Sequence, residues 1–275
     1  MEAKRVWAVY FSATGTTQRA VSAAAGQAAE KLGAEFLQFD FTLPAQRREP
    51  LYFSPRDLVV FGTPVYAGRV PNVLLKYLSG VRGGGAAAVP IVVYGNRDYD
   101  DALIELRDIL EKDGFHTIAA AAFVGEHSFS DVLAKGRPDS ADLELARNFG
   151  RSAAEKFRKM EENSFGAPIA VKGTPFPYRG YYWPRDRKGN PVDIRRVKPL
   201  TGDGCVNCGL CARVCPMGSI SPENVREFTG ICIKCGACIK KCPQHAKYYD
   251  DAGYLYHRNE LEEGLKRRAE PELFA

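Results

Sequence analysis

Short runs of consecutive apolar residues recur in the first half of the chain, and between them apolar and polar residues alternate with a helical period. The apolar runs predict five strands, at residues 6–11, 34–41, 57–61, 86–94 and 117–124. The periodic segments predict helices at 18–32, 71–78, 99–112 and 139–160. Parallel strands are covered on both faces and therefore read as continuous apolar runs. Strands that alternate with helices predict an α/β domain with a doubly wound parallel sheet.

A loop rich in hydroxyl groups, S-A-T-G-T-T at residues 12–17, joins the first strand to the first helix. Backbone N–H groups and hydroxyls at a helix N-terminus form an anion site. The loop lacks the lysine of a nucleoside-triphosphate loop and the G-x-G-x-x-G of a dinucleotide site, which favours a single phosphate such as that of FMN. An ordinary helix cap is the alternative. Five strands with this loop after the first predict the sheet order 2-1-3-4-5.

Two further loops follow strands three and four, T-P-V-Y-A-G at 63–68 and Y-G-N-R-D-Y-D-D at 94–101. In this strand order they meet the first loop at the ligand crevice. Tyr66 or Tyr99 is predicted to stack on a flat ring, and Asn96 to hydrogen-bond its polar edge. Ordinary surface loops are the alternative. The predicted flavin-binding residues are Ser12, Thr14, Gly15, Thr16, Thr17, Thr63, Pro64, Val65, Tyr66, Ala67, Gly68, Gly95, Asn96, Arg97, Tyr99 and Asp100.

His127 follows strand five and is the one predicted catalytic residue, as a proton donor to the flavin or to a substrate. The alternative is a histidine that caps its own loop.

All eight cysteines lie within residues 205–242, in two copies of C-x2-C-x2-C-x3-C-P that are 27 residues apart. In proteins with two cubane iron–sulfur clusters, three cysteines of one copy and the fourth of the other bind each cluster. Zinc and disulfides are the alternatives, and the three closely spaced cysteines followed by C-P favour iron–sulfur over both. The predicted ligands are Cys205, Cys208, Cys211 and Cys242 for cluster I, and Cys232, Cys235, Cys238 and Cys215 for cluster II.

The 275 residues have room for a large and a small domain, and we place boundaries at 1–160, 161–200 and 201–275. The middle segment is rich in proline and aromatic residues and is predicted to pack across both domains. It also holds eight Lys and Arg against four Asp and Glu, within a net charge of +5. This excess predicts an acidic electron-transfer partner. No nucleic-acid motif accompanies the charge. A short charged helix is predicted at 259–268.

No apolar run is long enough to span a membrane, and no secretory segment precedes the first strand. We therefore expect no membrane span and a cytoplasmic location, in an organism or condition low in oxygen.

Together these motifs resemble those of fused flavodoxin-like and bacterial ferredoxin proteins, which are electron-transfer flavoproteins found mostly in anaerobes. The resemblance covers nearly the whole chain and rests most firmly on the doubled cysteine motif. It implies a flavodoxin-like α/β domain that binds FMN and a C-terminal α+β domain that holds two 4Fe-4S clusters. Arg69 and Arg97 stand where simple flavodoxins carry acidic residues. A positive charge near the ring would favour the reduced, anionic flavin.

The leading functional hypothesis is an oxidoreductase that transfers electrons between the clusters and FMN for a soluble protein partner. The alternative is an FMN-dependent reductase of a small organic acceptor. The reductase predicts an open cavity over the flavin lined by His127, Arg97 or Arg137, whereas the carrier predicts a flavin edge exposed on a flat surface. A redox-responsive binding module is the third hypothesis. No nicotinamide-binding fingerprint accompanies any of them.

Overall fold

A computed structural model describes residues 1–160 and 165–275. The strands are β1 Arg5–Tyr10, β2 Glu35–Asp40, β3 Asp57–Pro64, β4 Ala87–Tyr94, β5 His116–Thr117, β6 Ala120–Val124, β7 Leu200–Thr201, β8 Lys247–Tyr248 and β9 Glu272–Phe274. The α-helices are α1 Thr16–Leu32, α2 Asn72–Leu78, α3 Ala102–Lys112, α4 Ser140–Lys159, α5 Leu210–Arg213, α6 Ala237–Lys240 and α7 Ala252–Gly264. None of the helices described is long and apolar enough to cross a bilayer.

The large sheet has the order β2-β1-β3-β4-β6, and all of these neighbours are parallel. This confirms the predicted order 2-1-3-4-5 and the doubly wound α/β fold. The predicted fifth strand is divided into β5 and β6, which both pair with β4. The register changes by one residue between Thr117 and Ala121, and Pro90 of β4 lies opposite this break. Because proline has no N–H to donate, a bulge forms beside it.

A short antiparallel strand, β9, extends the sheet beyond the five predicted strands. Glu272–Phe274 pairs with Ala120, Ala121 and Ala122 at the edge of β6. The end of the chain therefore lies on the large sheet, although the predicted boundaries assign 201–275 to the cluster domain. The helix predicted at 259–268 instead begins at Ala252, because the Asp251 carboxylate accepts the Tyr254 N–H at 2.8 Å and caps it there.

Apolar side chains fill both faces of the large sheet. One face packs against α1 and α4, where alanines allow the two helices to approach closely. At Gly150 of α4 a Cβ atom would overlap the backbone carbonyl of Ala24, so only glycine fits this contact. The other face packs against α2, α3 and the cysteine-containing domain, whose Cys235 and Ala237 belong to the same hydrophobic core. The small domain is therefore docked on the sheet through buried apolar contacts.

The cysteine-containing domain has little regular structure. It consists of two four-residue helices, α5 and α6, and the two-stranded antiparallel sheet formed by β7 and β8. Residues 165–199 form no helix or strand. They lie across the large domain and contact the small one, with Tyr182 donating its N–H to the Ala67 carbonyl at 2.8 Å and Arg195 accepting from Lys234 at 2.9 Å.

Candidate functional site

The loop between β1 and α1 opens into a cavity of about 60 Å³, called here the small cavity. Gly15 has a φ of +94°, which lets the chain turn into the helix. Thr14, Thr16 and Thr17 line the cavity, and the Thr17 hydroxyl is buried without a hydrogen-bond partner among the described residues. A buried hydroxyl without a partner is costly, and it marks a place where a ligand oxygen would bind.

Ser12 does not line the small cavity. Its hydroxyl accepts the N–H of Gln18 at 3.0 Å, and its own N–H donates to the Thr42 hydroxyl at 2.7 Å. Ser12 therefore has a structural role in the loop before α1, in line with the alternative of an ordinary helix cap. The three threonines, in contrast, line the small cavity.

A second cavity of about 430 Å³, called here the large cavity, adjoins the small one. Ligand pockets in proteins have volumes of roughly 300–1,000 Å³. Both cavities are lined by Val65, Tyr66, Tyr94, Gly95, His127 and Ser128. Of the other predicted flavin-binding residues, Ala67, Gly68 and Arg97 line the large cavity and Pro64 lines the small one. The carboxyl ends of β1, β3 and β4 thus meet at one continuous site.

Asn96 and Tyr99 were predicted to bind the flavin, and the structure gives them other partners. The Asn96 amide donates to the carbonyls of Leu265 and Arg267 at 2.9 and 2.8 Å, and accepts the Ala269 N–H at 3.0 Å. The Tyr99 hydroxyl donates to Glu272 at 2.7 Å, and its ring is buried. The C-terminal segment thus occupies both side chains, and neither of them lines the small or the large cavity.

Thr63 and Asp100 also lie outside the cavities. Thr63 is completely buried, with its hydroxyl unpartnered among the described residues. Asp100 forms an ion pair with Arg97. A Cβ atom at Gly68 would overlap the Asp100 carboxylate, so glycine allows the two loops to meet. Asp100 therefore orients Arg97, and it does not face the cavity itself.

Sequence reasoning missed a large part of the cavity wall. The additional lining residues are Tyr181–Pro184 and Val192–Arg195 of the middle segment, Ile233 and Lys234 of the cysteine-containing domain, and His257 and Leu261 of α7. For the middle segment, the aromatic run Y-Y-W-P predicted that this segment packs against the domains, but it did not show that the segment forms a wall of the large cavity. The guanidinium of Arg97 lies 4.2 Å from the Tyr182 ring centroid and fixes this segment over the cavity.

Arg69 does not supply the positive charge that was expected near the ring. Its guanidinium forms two hydrogen bonds with the Glu105 carboxylate, at 2.7 and 2.6 Å, and lies 4.7 and 5.1 Å from the ring centroids of Tyr178 and Tyr181. Arg137 is likewise buried in an ion pair with Asp142, outside the large cavity. Of the three side chains predicted to line a substrate cavity, the structure places Arg97 and His127 there.

His127 is enclosed at the junction of the two cavities. Burial, helped by the positive charges of neighbouring side chains, lowers its pKa from 6.5 to about 3. Its Nδ1 accepts the Phe129 N–H at 3.1 Å, so the neutral ring carries its proton on Nε2. His127 can therefore donate a hydrogen bond into the site, but at neutral pH it has no imidazolium proton to give.

None of the eight cysteines forms a disulfide, and they lie in two groups. The first cysteine group lines one cavity and consists of Cys205, Cys208, Cys211 and Cys242. The second cysteine group lines another cavity and consists of Cys215, Cys232, Cys235 and Cys238. These are the two sets predicted for clusters I and II, in which the fourth cysteine of each copy of the motif joins the first three of the other copy.

The cysteine groups have the chemistry of cluster ligands. Backbone N–H groups donate to the crossing sulfurs in both copies, from Ser219 to Cys215 and from Ala246 to Cys242, each at 3.4 Å. Burial raises the pKa of Cys235 to about 12, so a nearby metal charge is needed to keep this thiol ionised. Iron supplies that charge when a cluster is bound.

The second cysteine group also forms part of the wall at the α/β domain. Cys235 lines the small cavity, and Ile233 and Lys234 line the large one. A Cβ atom at Gly236 would lie 2.6 Å from the Ser128 carbonyl oxygen, which shows how closely the two domains approach.

Residues 204–247 match the family model described as a 4Fe-4S dicluster domain. No curated protein matches the chain at a significant level. Solved structures similar to this one include a flavodoxin from the domain Archaea, with 14% identity over 56% of this chain and 99% of that one, at a TM-score of 0.41. Flavodoxin 2 from Bacillus cereus has 15% identity over 56% and 99%, at 0.42. The flavodiiron protein from Giardia intestinalis has 22% identity over 57% and 37%, at 0.35.

The dicluster match and the two cysteine groups show that the C-terminal part holds two 4Fe-4S clusters. The chain therefore joins an α/β domain with the flavodoxin-like strand order to a 4Fe-4S dicluster domain.

Proposed function

We propose that this protein is an oxidoreductase that transfers electrons between its two 4Fe-4S clusters and an FMN. One observation carries the proposal: Ile233 lines both the cavity of the second cysteine group and the large cavity, and Cys235 lines that cysteine cavity and the small one. A single side chain thus separates the proposed site of cluster II from the cavity where the flavin ring would bind. Iron–sulfur clusters exchange single electrons and a flavin accepts one or two, so the pair connects the two kinds of chemistry.

The residues at the two cavities fit FMN. The Thr17 hydroxyl and the backbone N–H groups at the start of α1 would hold the phosphate. The large cavity, with the aromatic side chains of Tyr66, Tyr182 and Trp183, would hold the flat ring. At Gly95 a Cβ atom would overlap the His127 ring, so glycine keeps the backbone close to the site. These features are the ones that a phosphate joined to a planar ring requires.

Tyr66 carries no charge beside the proposed transfer path. Burial raises the pKa of Tyr66 well above its usual value of 10, and the nearby Cys235 and Cys232 raise it further. The phenol therefore stays neutral between the large cavity and the second cysteine group. Tyr181–Pro184 and Val192–Arg195 form another wall of the large cavity, where they would contact the flavin ring.

We place the exchange with a protein partner at the first cysteine group. Cys208 is exposed and Val206 is 65% exposed, whereas Cys235 is buried. Part of the positive charge of the middle segment is paired, since Arg187 contacts Glu260 and Glu263, and Arg195 contacts Asp193. The surface around Cys208 is therefore a better docking place than the basic segment favoured by the sequence.

One observation favours the alternative, an FMN-dependent reductase of a small organic acceptor. The carrier hypothesis expects a flat surface with an exposed flavin edge, whereas the reductase expects an open cavity over the flavin, and the large cavity is a concave site lined by Arg97 and His127. The two side chains offer a cation and a hydrogen-bond donor to a polar acceptor group. In both versions the clusters and FMN exchange electrons within the chain.

The test is rapid mixing of anaerobically purified protein with a reduced ferredoxin, with cluster and flavin absorbance followed separately. We expect the clusters to be reduced before the flavin. A Cys238→Ala variant, which loses a predicted cluster II ligand that does not line the flavin cavities, should lose flavin reduction even when it is assayed with FMN restored to full content. Reoxidation by a small molecule with saturation and stoichiometric product would support the reductase. Protein that lacks iron or FMN when prepared without oxygen would contradict both versions.

A further inference from the structure

We propose that the ammonium group of Lys234 is the fixed positive charge that raises the reduction potentials of the flavin and of cluster II together. This inference rests on the proposed function, because it concerns the same two groups. It assigns the electrostatic control of the site to a residue that belongs to the dicluster domain rather than to the flavin-binding loops.

Lys234 lies between the two redox sites. It stands in the chain between Cys232 and Cys235, and its side chain lines the large cavity. Its Nζ donates to the carbonyl oxygens of Arg195 at 2.9 Å and Cys232 at 3.0 Å. These two acceptors hold the ammonium in place without neutralising it.

The arginines that line the large cavity are neutralised by carboxylates. Arg97 forms an ion pair with Asp100, and Arg195 forms one with Asp193 at 2.7 Å. Lys234 differs from them, because no carboxylate among the residues that the structure describes lies within 4.0 Å of its Nζ. Asp98 also lines the cavity and carries the opposite charge, with one carboxylate oxygen accepting the Asp100 N–H at 3.0 Å.

The internal repeat provides a comparison within the same chain. Asn207 occupies the slot of Lys234 in the first copy, 27 residues earlier, and the two residues have nearly the same left-handed backbone, with φ of +52° and +55°. Asn207 is exposed and lines neither flavin cavity. Asparagine adopts this conformation more readily than lysine does. The backbone therefore does not require lysine, and the charge is present only in the copy that faces the cavity.

A fixed cation at this position favours the reduced state of either neighbour. Each electron that enters a cluster or a flavin adds negative charge, and a nearby positive charge stabilises it. Lys234 is half-buried, so water screens its charge less than it would screen the charge of a fully exposed lysine. Loss of the ammonium should therefore lower both reduction potentials.

The experiment is an anaerobic spectroelectrochemical titration of the holoprotein and of Lys234→Asn, which copies the residue of the first repeat. At a fixed applied potential we expect the ratio of reduced to oxidised flavin to fall by about tenfold, which is 59 mV for a one-electron step. The potential of cluster II should fall as well. Lys234→Arg keeps the charge and should stay close to the wild type. Lys241→Asn removes an exposed lysine of the same domain and is the matched control.

Asp98→Asn tests the same field with the opposite sign and should raise the flavin potential. Unchanged potentials in Lys234→Asn with full iron and FMN content, or an equal shift in Lys241→Asn, would overturn the inference. So would loss of cluster II in both Lys234→Asn and Lys234→Gln with retention in Lys234→Arg, because the charge would then hold the cluster. Absence of FMN or iron from the wild-type protein would instead contradict the proposed function.

Discussion

The buried hydroxyl of Thr17 is the most direct sign of a ligand at the level of single residues. Replacing Thr17 with valine keeps the shape of the side chain and removes the buried hydroxyl that lines the small cavity without a partner among the described residues. Hydrogen bonds to charged groups contribute about 1.5–3 kcal/mol, so we expect FMN to bind roughly 10- to 100-fold more weakly to Thr17→Val. Recovery of flavin fluorescence on dissociation measures the affinity.

Thr63→Val is the matched control. Thr63 is also buried with an unpartnered hydroxyl among the described residues, but it lines neither cavity. We expect this variant to bind FMN as the wild type does. Equal loss of affinity in both variants would show that the effect arises from the fold of the loops rather than from a contact with phosphate.

His127 should make the folded protein less stable in mild acid. Its pKa is about 3 in the folded protein and 6.5 when unperturbed, so between these values only the unfolded chain binds the proton. Stability therefore falls as the pH falls below 6.5, by up to about 1.4 kcal/mol per pH unit. Between pH 7.5 and 5.5 the apparent melting temperature of the wild type should fall by a few degrees more than that of His127→Gln.

His116→Gln is the control for this pH dependence, because His116 begins β5 and lines neither flavin cavity. It should keep the wild-type difference in melting temperature between the two pH values. If His127→Gln also keeps that difference, His127 is protonated near neutral pH and the proton-donor prediction regains its basis.

Helix α6 is tied to the loop after β6 by Lys240. Its ammonium forms an ion pair with Glu126 and donates to the Ser130 carbonyl at 2.7 Å, and both side chains are largely shielded from solvent. Glu126→Gln leaves this shielded cation with only the exposed Asp131 carboxylate, at 3.5 Å, which we expect to cost about 1–3 kcal/mol. The dicluster domain should then dock less tightly, and electron transfer from the clusters to the flavin should slow in single-turnover absorbance measurements.

Glu144→Gln provides the comparison, since Glu144 pairs with Arg147 on the exposed face of α4. Exposed ion pairs contribute about 0–1 kcal/mol, so stability and electron transfer should hardly change. A normal transfer rate in Glu126→Gln would mean that the apolar contacts of Cys235 and Ala237 with the core are sufficient for docking.

For the whole molecule, the clusters should decide whether the C-terminal part folds. Residues 200–248 contain only four-residue helices and two-residue strands, whereas the α/β domain has a continuous core on both faces of its sheet. Removing iron with a chelator under reducing conditions should therefore unfold the dicluster domain and leave the large sheet folded. Limited proteolysis should cut the iron-free protein first between residues 200 and 250.

Loss of the clusters should also open the flavin site from one side, because Ile233 and Lys234 form part of its wall. We expect FMN to dissociate faster from the iron-free protein than from the holoprotein. Unchanged resistance to protease after complete removal of iron would contradict the proposed dependence of folding on the clusters.

The features of this protein whose chemistry is local could be predicted from the order of its amino acids. Buried parallel strands need continuous apolar runs, so the strand order and most helix positions followed from pattern alone. The doubled cysteine motif predicted both groups of cluster ligands. In each group, three closely spaced cysteines of one copy are joined by the fourth cysteine of the other copy. The threonines at the start of α1 were found because an anion site needs only neighbouring residues.

Contacts between residues that are distant in the chain depend on the complete fold. The amide of Asn96 and the hydroxyl of Tyr99 have the chemistry to bind a flavin, but the C-terminal segment, about 170 residues later, occupies both. Arg69 was expected to charge the site, and Glu105 neutralises it. Lys234 reaches the large cavity from another domain. Side-chain type follows from the sequence, whereas the partner of a polar side chain depends on contacts across the fold that no local pattern encodes.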